Sequence, residues 1–173
     1  MEKYMLALLV QNKSGVLARV SSLFGRRGYN IDSLTVSTTE NPEISHITIV
    51  VQGDEDILQQ IMKQAAKLEE CMHVCEYGKD TAIVRELLLV KMSLVGDDLS
   101  MLRQIAEIYE AKIIDLTAAT MTMELTGTPL KIDSFLEIMK THKIIELCRT
   151  GATAMERGLL TTREGGRTGN GAR

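Results

Sequence analysis

Tryptophan is absent, and aromatic residues make up only 3% of the 173 positions. Surfaces on which bases could stack are therefore scarce. Neither sign of charge dominates: 20 Lys and Arg stand against 23 Asp and Glu, a net charge of −3. That balance gives no electrostatic reason to expect nucleic acid or an anionic membrane as a partner. No apolar run approaches the roughly 20 residues needed to cross a bilayer. Met1-Glu2-Lys3-Tyr4 leads into an apolar run too short, and wrongly flanked, for a signal peptide. The three cysteines, Cys71, Cys75 and Cys148, are odd in number and unpatterned in spacing. A disulfide framework is not expected, and a reducing cytoplasm is. What is present is 45% hydrophobic content, enough for one large domain or two small ones. Their cores must come from Ile, Leu, Val, Met and Ala.

The apolar pattern spells one unit twice. Tyr4 to Val10 reads as a buried strand ending at polar Gln11-Asn12-Lys13-Ser14-Gly15. Val16, Leu17, Val20, Leu23 and Phe24 recur at helical spacing, with Gly25 and Gly28 closing the helix. Ile31 to Val36 predicts a strand, Glu40-Asn41-Pro42-Glu43 a turn, and Ile44 to Val51 a third strand. Asp54 is expected to cap a helix with Ile57, Leu58, Ile61, Met62 and Ala65 on one face, before a short strand over Met72 to Glu76. The order βαββαβ returns as strand 85–93, helix 99–109, strands 112–118 and 121–126, helix 131–140 and strand 144–149. Leu17, Val20, Leu23 and Phe24 match Leu102, Ile105, Ile108 and Tyr109 at a shift of 85; Ile31-Asp32 matches Ile114-Asp115 at 83. The expected fold is α+β: two ferredoxin-like βαββαβ sandwiches in tandem, each an antiparallel sheet with helices on one face. The expected boundaries are 1–77 and 85–158, with a linker over 78–84 and a flexible, glycine-rich tail over 159–173.

Catalytic chemistry finds little footing. Cys71 and Cys75 with His73 between them lack a second ligand pair, so no metal site is expected. His46 lies in a strand-like run and reads as a half-exposed sheet residue. There is no Gly-x-Ser-x-Gly, phosphate-cradling loop or dinucleotide fingerprint, and the ten methionines read as core filler.

Asn12-Lys13-Ser14-Gly15-Val16 is more informative, because it joins a strand to a helix. The first N–H groups of a helix lack intrahelical partners and, with the helix dipole, suit a carboxylate. Gly15 would let a ligand approach the backbone, and Asn12 carries both a donor and an acceptor. The same stretch also reads as a plain N-cap with a tight turn. Asn30 opens the second strand, an edge strand in ferredoxin-like order, which invites two-fold pairing with another copy. It also reads as an ordinary polar strand-start residue. Carrying the shift of 85 back puts Asp97 opposite Asn12 and Ser100 opposite Gly15, while the shift of 83 puts Ile113 opposite Asn30. The second unit is therefore expected to lack this carboxylate-binding arrangement.

Asn12-Lys13-Ser14-Gly15-Val16-Leu17, followed by the run from Leu23-Phe24-Gly25-Arg26-Arg27-Gly28-Tyr29-Asn30-Ile31-Asp32 to Val36, resembles the opening of acetolactate synthase small subunits. The likeness continues at Gly53-Asp54, Gln60 to Gln64, Arg85 to Lys91, Ile113-Ile114-Asp115 and Arg149-Thr150-Gly151, covering about residues 3 to 158. The first half is similar to an ACT domain, a small ligand-sensing module. The resemblance implies a non-catalytic subunit that activates a separate catalytic large subunit and makes it sensitive to a branched-chain amino acid, most often valine. It implies an effector site at Asn12, Gly15 and Asn30, with Val16 and Ile31 as backbone neighbours, at a homodimer interface. It implies no cofactor on this chain; thiamine diphosphate, Mg and FAD belong to the catalytic subunit. Two rivals remain at this point. One is a stand-alone ACT sensor of another enzyme. The other is a KH-like RNA-binding module, suggested by Gly25-Arg26-Arg27-Gly28 but opposed by the strand pattern that follows.

Overall fold

The computed structural model describes residues 2–26, 28–78, 80–96, 98–164 and 167–168, the last pair by backbone alone. The elements run β1 (Glu2–Gln11), α1 (Val16–Gly25), β2 (Ile31–Thr38), β3 (Ile44–Gly53), α2 (Glu55–Ala65) and β4 (Cys71–Glu76). There follow β5 (Ala82–Ser93), α3 (Leu99–Tyr109), β6 (Lys112–Leu116), β7 (Thr120–Gly127), α4 (Pro129–Met139), β8 (Ile144–Arg149), β9 (Thr153–Glu156) and β10 (Arg167–Thr168). The chain forms two compact units: residues up to Ile83 together with those from Gly151 on, and Val84–Thr150. The first sheet has the order β10-β4-β1-β3-β2 and the second β6-β7-β5-β8. Both are antiparallel. The first and third strands of each copy are central, and the second strand lies at an edge, as ferredoxin-like order requires.

Period-two alternation sets the inner face of each sheet. Leu6, Leu8 and Val10 of β1 meet Ile47, Ile49 and Val51 of β3, and helices bring Val20, Leu23 and Phe24 (α1) and Leu58, Ile61 and Met62 (α2) onto them. In the second unit Leu88, Val90, Met92, Met121, Met123 and Leu125 pack with Leu102, Ile105, Ile132 and Phe135. Tyr109 meets Phe135 edge-on, with ring centroids 5.2 Å apart.

Packing corrects the register of the repeat. Leu102, Ile105 and Ala106 occupy the places of Val20, Leu23 and Phe24, and Leu88, Val90 and Met92 those of Leu6, Leu8 and Val10. The true shift is 82, not 85. An apolar stripe spaced by three and four nearly superposes on itself when slid by three residues, so the sequence pattern alone fits both shifts. Ile108, matched to buried Leu23 at 85, is 77% exposed.

Several boundaries also move. The 78–84 segment, expected as a linker, already contains the start of β5 at buried Ala82. The fourth helix begins at Pro129, not Lys131, because the Thr128 hydroxyl caps it by accepting from Lys131 N–H at 3.2 Å. Asp54 sits at the N-cap of α2 without accepting a hydrogen bond from it. By packing, the residues from Gly151 on group with the first unit.

Residues 151–164 form a strap over the open face of the first sheet. Ala152 N–H donates to Ser33 Oγ on β2 at 3.4 Å. Further along, Tyr77 Oη donates to Ala154 O at 3.3 Å and meets Thr162 Oγ1 at 2.7 Å. Ala152, Ala154 and Glu156 are buried. The early part of the expected tail is thus packed. Of the stretch from Gly165 to Gly171, only the backbone of Arg167–Thr168 falls within the described residues, paired with Glu76 and Cys75. No described helix is long and apolar enough to cross a membrane.

Candidate functional site at the first helix

The start of α1 is open. Gly15 takes the N-cap position at φ 83°, and no side chain caps the helix. This left-handed backbone favours glycine, and a Cβ built there would meet nothing within 4 Å. Val16 N–H reaches Lys13 O at 3.4 Å, and Arg19 N–H reaches Gly15 O at 3.1 Å. Among the described residues, the N–H groups of Leu17 and Ala18 between them take no partner. Val16 is buried in the first core, so it offers this site only backbone. Asn12, in the preceding loop, is exposed. Its backbone N–H donates to Glu43 O at 2.7 Å and its Nδ2 to Pro42 O at 2.9 Å. With the amide nitrogen held by the β2–β3 turn, Oδ1 is left as an acceptor.

Asn30 is exposed immediately before β2, and Ile31 packs partly onto the first core. Tyr29 anchors this stretch, packed against the same core with its hydroxyl donating to Asp54 O at 3.4 Å. Among the described residues, no strand pairs with the edge of β2 away from β3, and Asn30 stands at that side of the sheet. Arg26 folds back on its own helix end, with Nε donating to Ser22 O at 3.3 Å; Arg27 lies outside the described residues. Because Arg26 is followed by a strand, Gly25 to Gly28 is not the helix-joining loop of a KH module.

The second unit treats the equivalent point differently. Asp98 is the N-cap of α3, and its carboxylate accepts from Ser100 N–H at 2.8 Å and Met101 N–H at 3.4 Å. At the corrected shift Asn12 falls opposite Leu94, which packs on the second core; Asp97 lies outside the described residues. Ser100, expected opposite Gly15, instead supplies a backbone donor to Asp98.

The open face of the first sheet carries several polar groups. His46 Nε2 lies 3.2 Å from Tyr77 Oη and 3.4 Å from Thr162 Oγ1, and desolvation lowers its pKa. His73 is lowered too, by desolvation first and by the Arg163 charge second. Burial pushes the Cys71 thiol up to about 11, Cys75 to about 12 and the Tyr77 phenol to about 12. Cys71 packs against the helix-side core while Cys75 donates to Thr162 O on the other face. A β-bulge opposite β1, between Leu9 and Val10, breaks the alternation that would have put both on one face. No cluster of potential metal ligands exists among the described residues.

Residues 85–158 match the family described as small subunit of acetolactate synthase, and residues 6–73 match its small subunit-like ACT domain. The chain is 42% identical over 154 residues to the acetolactate synthase isozyme 3 small subunit of Escherichia coli (strain K12), covering 88% of this chain and 94% of that protein. It is 42% identical over 156 residues to the probable acetolactate synthase small subunit of Archaeoglobus fulgidus, covering 90% and 98%. The chain belongs to the acetolactate synthase small-subunit family. The crystal structure of the acetolactate synthase small subunit from Thermotoga maritima is similar across the whole fold, with 35% identity and a TM-score of 0.84 over 92% of this chain and all of that one.

Sequence reasoning missed two residues that matter to this small-subunit fold. Asp98 precedes an apolar helix in the ordinary manner of an N-cap, a signal hidden by the wrong repeat shift. Glu156 is buried at 5% exposure with neither carboxylate oxygen hydrogen-bonded; no local pattern marks it, because the strap that buries it is a long-range contact.

Proposed function

We propose that this chain is a regulatory subunit that binds a branched-chain amino acid, valine foremost, at the start of α1, and so sets the activity of a catalytic acetolactate synthase subunit that it also activates. The observation that carries this reading is the uncapped helix start at Gly15. Free N–H groups and a helix dipole there suit the ligand's carboxylate. Asn12 Oδ1 would accept from its ammonium. Asn30 of a second copy, paired through the free edge of β2, would close the site, and apolar side chains would cover the isopropyl group. A site shared by two chains gives the ligand a preference for one dimer geometry, and regulation follows from that differential affinity, typically about 1–3 kcal/mol. In the second unit Asp98 already supplies a carboxylate to the helix, so that unit serves contact with the catalytic subunit rather than sensing. Thiamine diphosphate, Mg and FAD would be held by the catalytic partner.

Asn12→Ala and Asn30→Ala, each reconstituted with a catalytic subunit, should retain activation and lose valine inhibition. Undiminished valine sensitivity in both would overturn the assigned site. A chain that neither binds nor activates the catalytic subunit would instead favour a stand-alone sensor.

A further inference from the structure

We propose that Gly151 and Ala152 form the mechanical link through which ligand binding beside β2 is felt by the second unit. The inference rests on the effector reading above and adds the route by which that site acts. Asn30 and Ile31 stand at the opening of β2, and the strap meets the same strand a few residues on. Ala152, 1% exposed, donates its N–H to Ser33 Oγ at 3.4 Å. A Cβ at Gly151 would stand 2.6 Å from Thr35 Oγ1 and 3.2 Å from the backbone N and C of Leu34. The strap backbone therefore lies directly on the strand backbone, an approach that only glycine permits. Between the effector residues and this contact, the β2–β3 ladder shifts register, between Ile31 and Ser33. Such an irregularity lets the head of the strand be re-aimed without unpairing the rest.

The preceding residues are equally fixed, but to the second unit. Thr150 N–H donates to Leu87 O at 2.9 Å, and Leu87 N–H donates to Thr150 Oγ1 at 2.9 Å. Arg149 donates through Nε to Glu86 at 2.7 Å and through a terminal nitrogen to Asp133 at 2.6 Å. Two peptide bonds thus separate a residue hydrogen-bonded to β5, Thr150, from one hydrogen-bonded to β2, Ala152. A ligand that prefers one setting of β2 would through this junction bias Thr150 and the strand β8 that ends beside it.

The test uses the full chain reconstituted with a catalytic subunit, with valine as the probe. Gly151→Ala forces the strap off β2, and Ser33→Ala removes its hydrogen bond while leaving the backbone contact. Both variants should bind valine, by calorimetry on the small subunit, within about threefold of wild type, because neither touches the helix start. Both should activate the catalytic subunit in the absence of valine. Gly151→Ala should lose at least about half of the inhibition reached at saturating valine, a partial uncoupling, and Ser33→Ala a smaller share. Full inhibition of Gly151→Ala would overturn the link. So would parallel loss of binding and inhibition, since the strap would then be part of the site itself. Should Gly151→Ala fail to fold by circular dichroism, unchanged maximal inhibition in Ser33→Ala overturns it equally. Absence of valine binding by the wild-type chain would overturn the effector reading together with the link.

Discussion

Gly15 and Asp98 are the N-cap residues of the first helix in two copies of one fold, one position apart at the shift of 82, and they treat its free N–H groups in opposite ways. Asp98 fills them with its own carboxylate, and Gly15 leaves them bare. The first choice gives stability, since an N-cap side chain contributes about 0.5–2 kcal/mol over alanine. The second forgoes that stabilisation and leaves a polar opening that only an external acceptor can fill. The two units thus part at the cap of their first helix, while both cores are built mainly from aliphatic side chains.

Three changes would break or sharpen this contrast. The largest effect belongs to Gly15→Asp, which introduces a carboxylate where the ligand's should sit, at a φ that side chains rarely adopt. Valine affinity, read by calorimetry, should fall by at least about a hundredfold through like-charge repulsion and backbone strain. Activation of the catalytic subunit should survive. Next is Asp98→Ala, which opens the start of α3. It should cost about 1 kcal/mol of stability, read as a lower denaturant midpoint, without creating a second valine site. The smallest effect concerns pH. His46 and His73 have pKa values lowered by burial, so the unfolded chain binds more protons than the folded one between the depressed values and the ordinary value of about 6.5. Stability is therefore fully present above about pH 6.5 and declines as pH falls through that window. Thermal melting should show the decline, and His46→Gln should make it shallower.

How much of this could be read from the sequence differs between the same two regions. Element order, edge placement of β2 and the composition of both cores were readable, because alternation and helical spacing report local burial directly. The helix start at Gly15 was readable too, since strand, polar loop and glycine are contiguous. The shift of the repeat was not, because a three-residue slide preserves an apolar helical stripe; the strands' partners had to decide it. The strap was hidden for a different reason. Gly151, Ala152 and Thr162 owe their places to Ser33, Thr35 and Tyr77, more than 80 positions earlier, and short polar stretches carry no periodic mark of what they cover. Glu156 was invisible on the same grounds.

The claim on which the rest depends is that the bare helix start of the first unit, and not its capped counterpart, holds the amino acid. Titration of valine into the purified wild-type chain, followed by calorimetry, measures it directly. The account predicts no more than one site per chain, abolished by Asn12→Ala and untouched by Asp98→Ala. Two sites per chain, or binding that survives Asn12→Ala and disappears with Asp98→Ala, would contradict it.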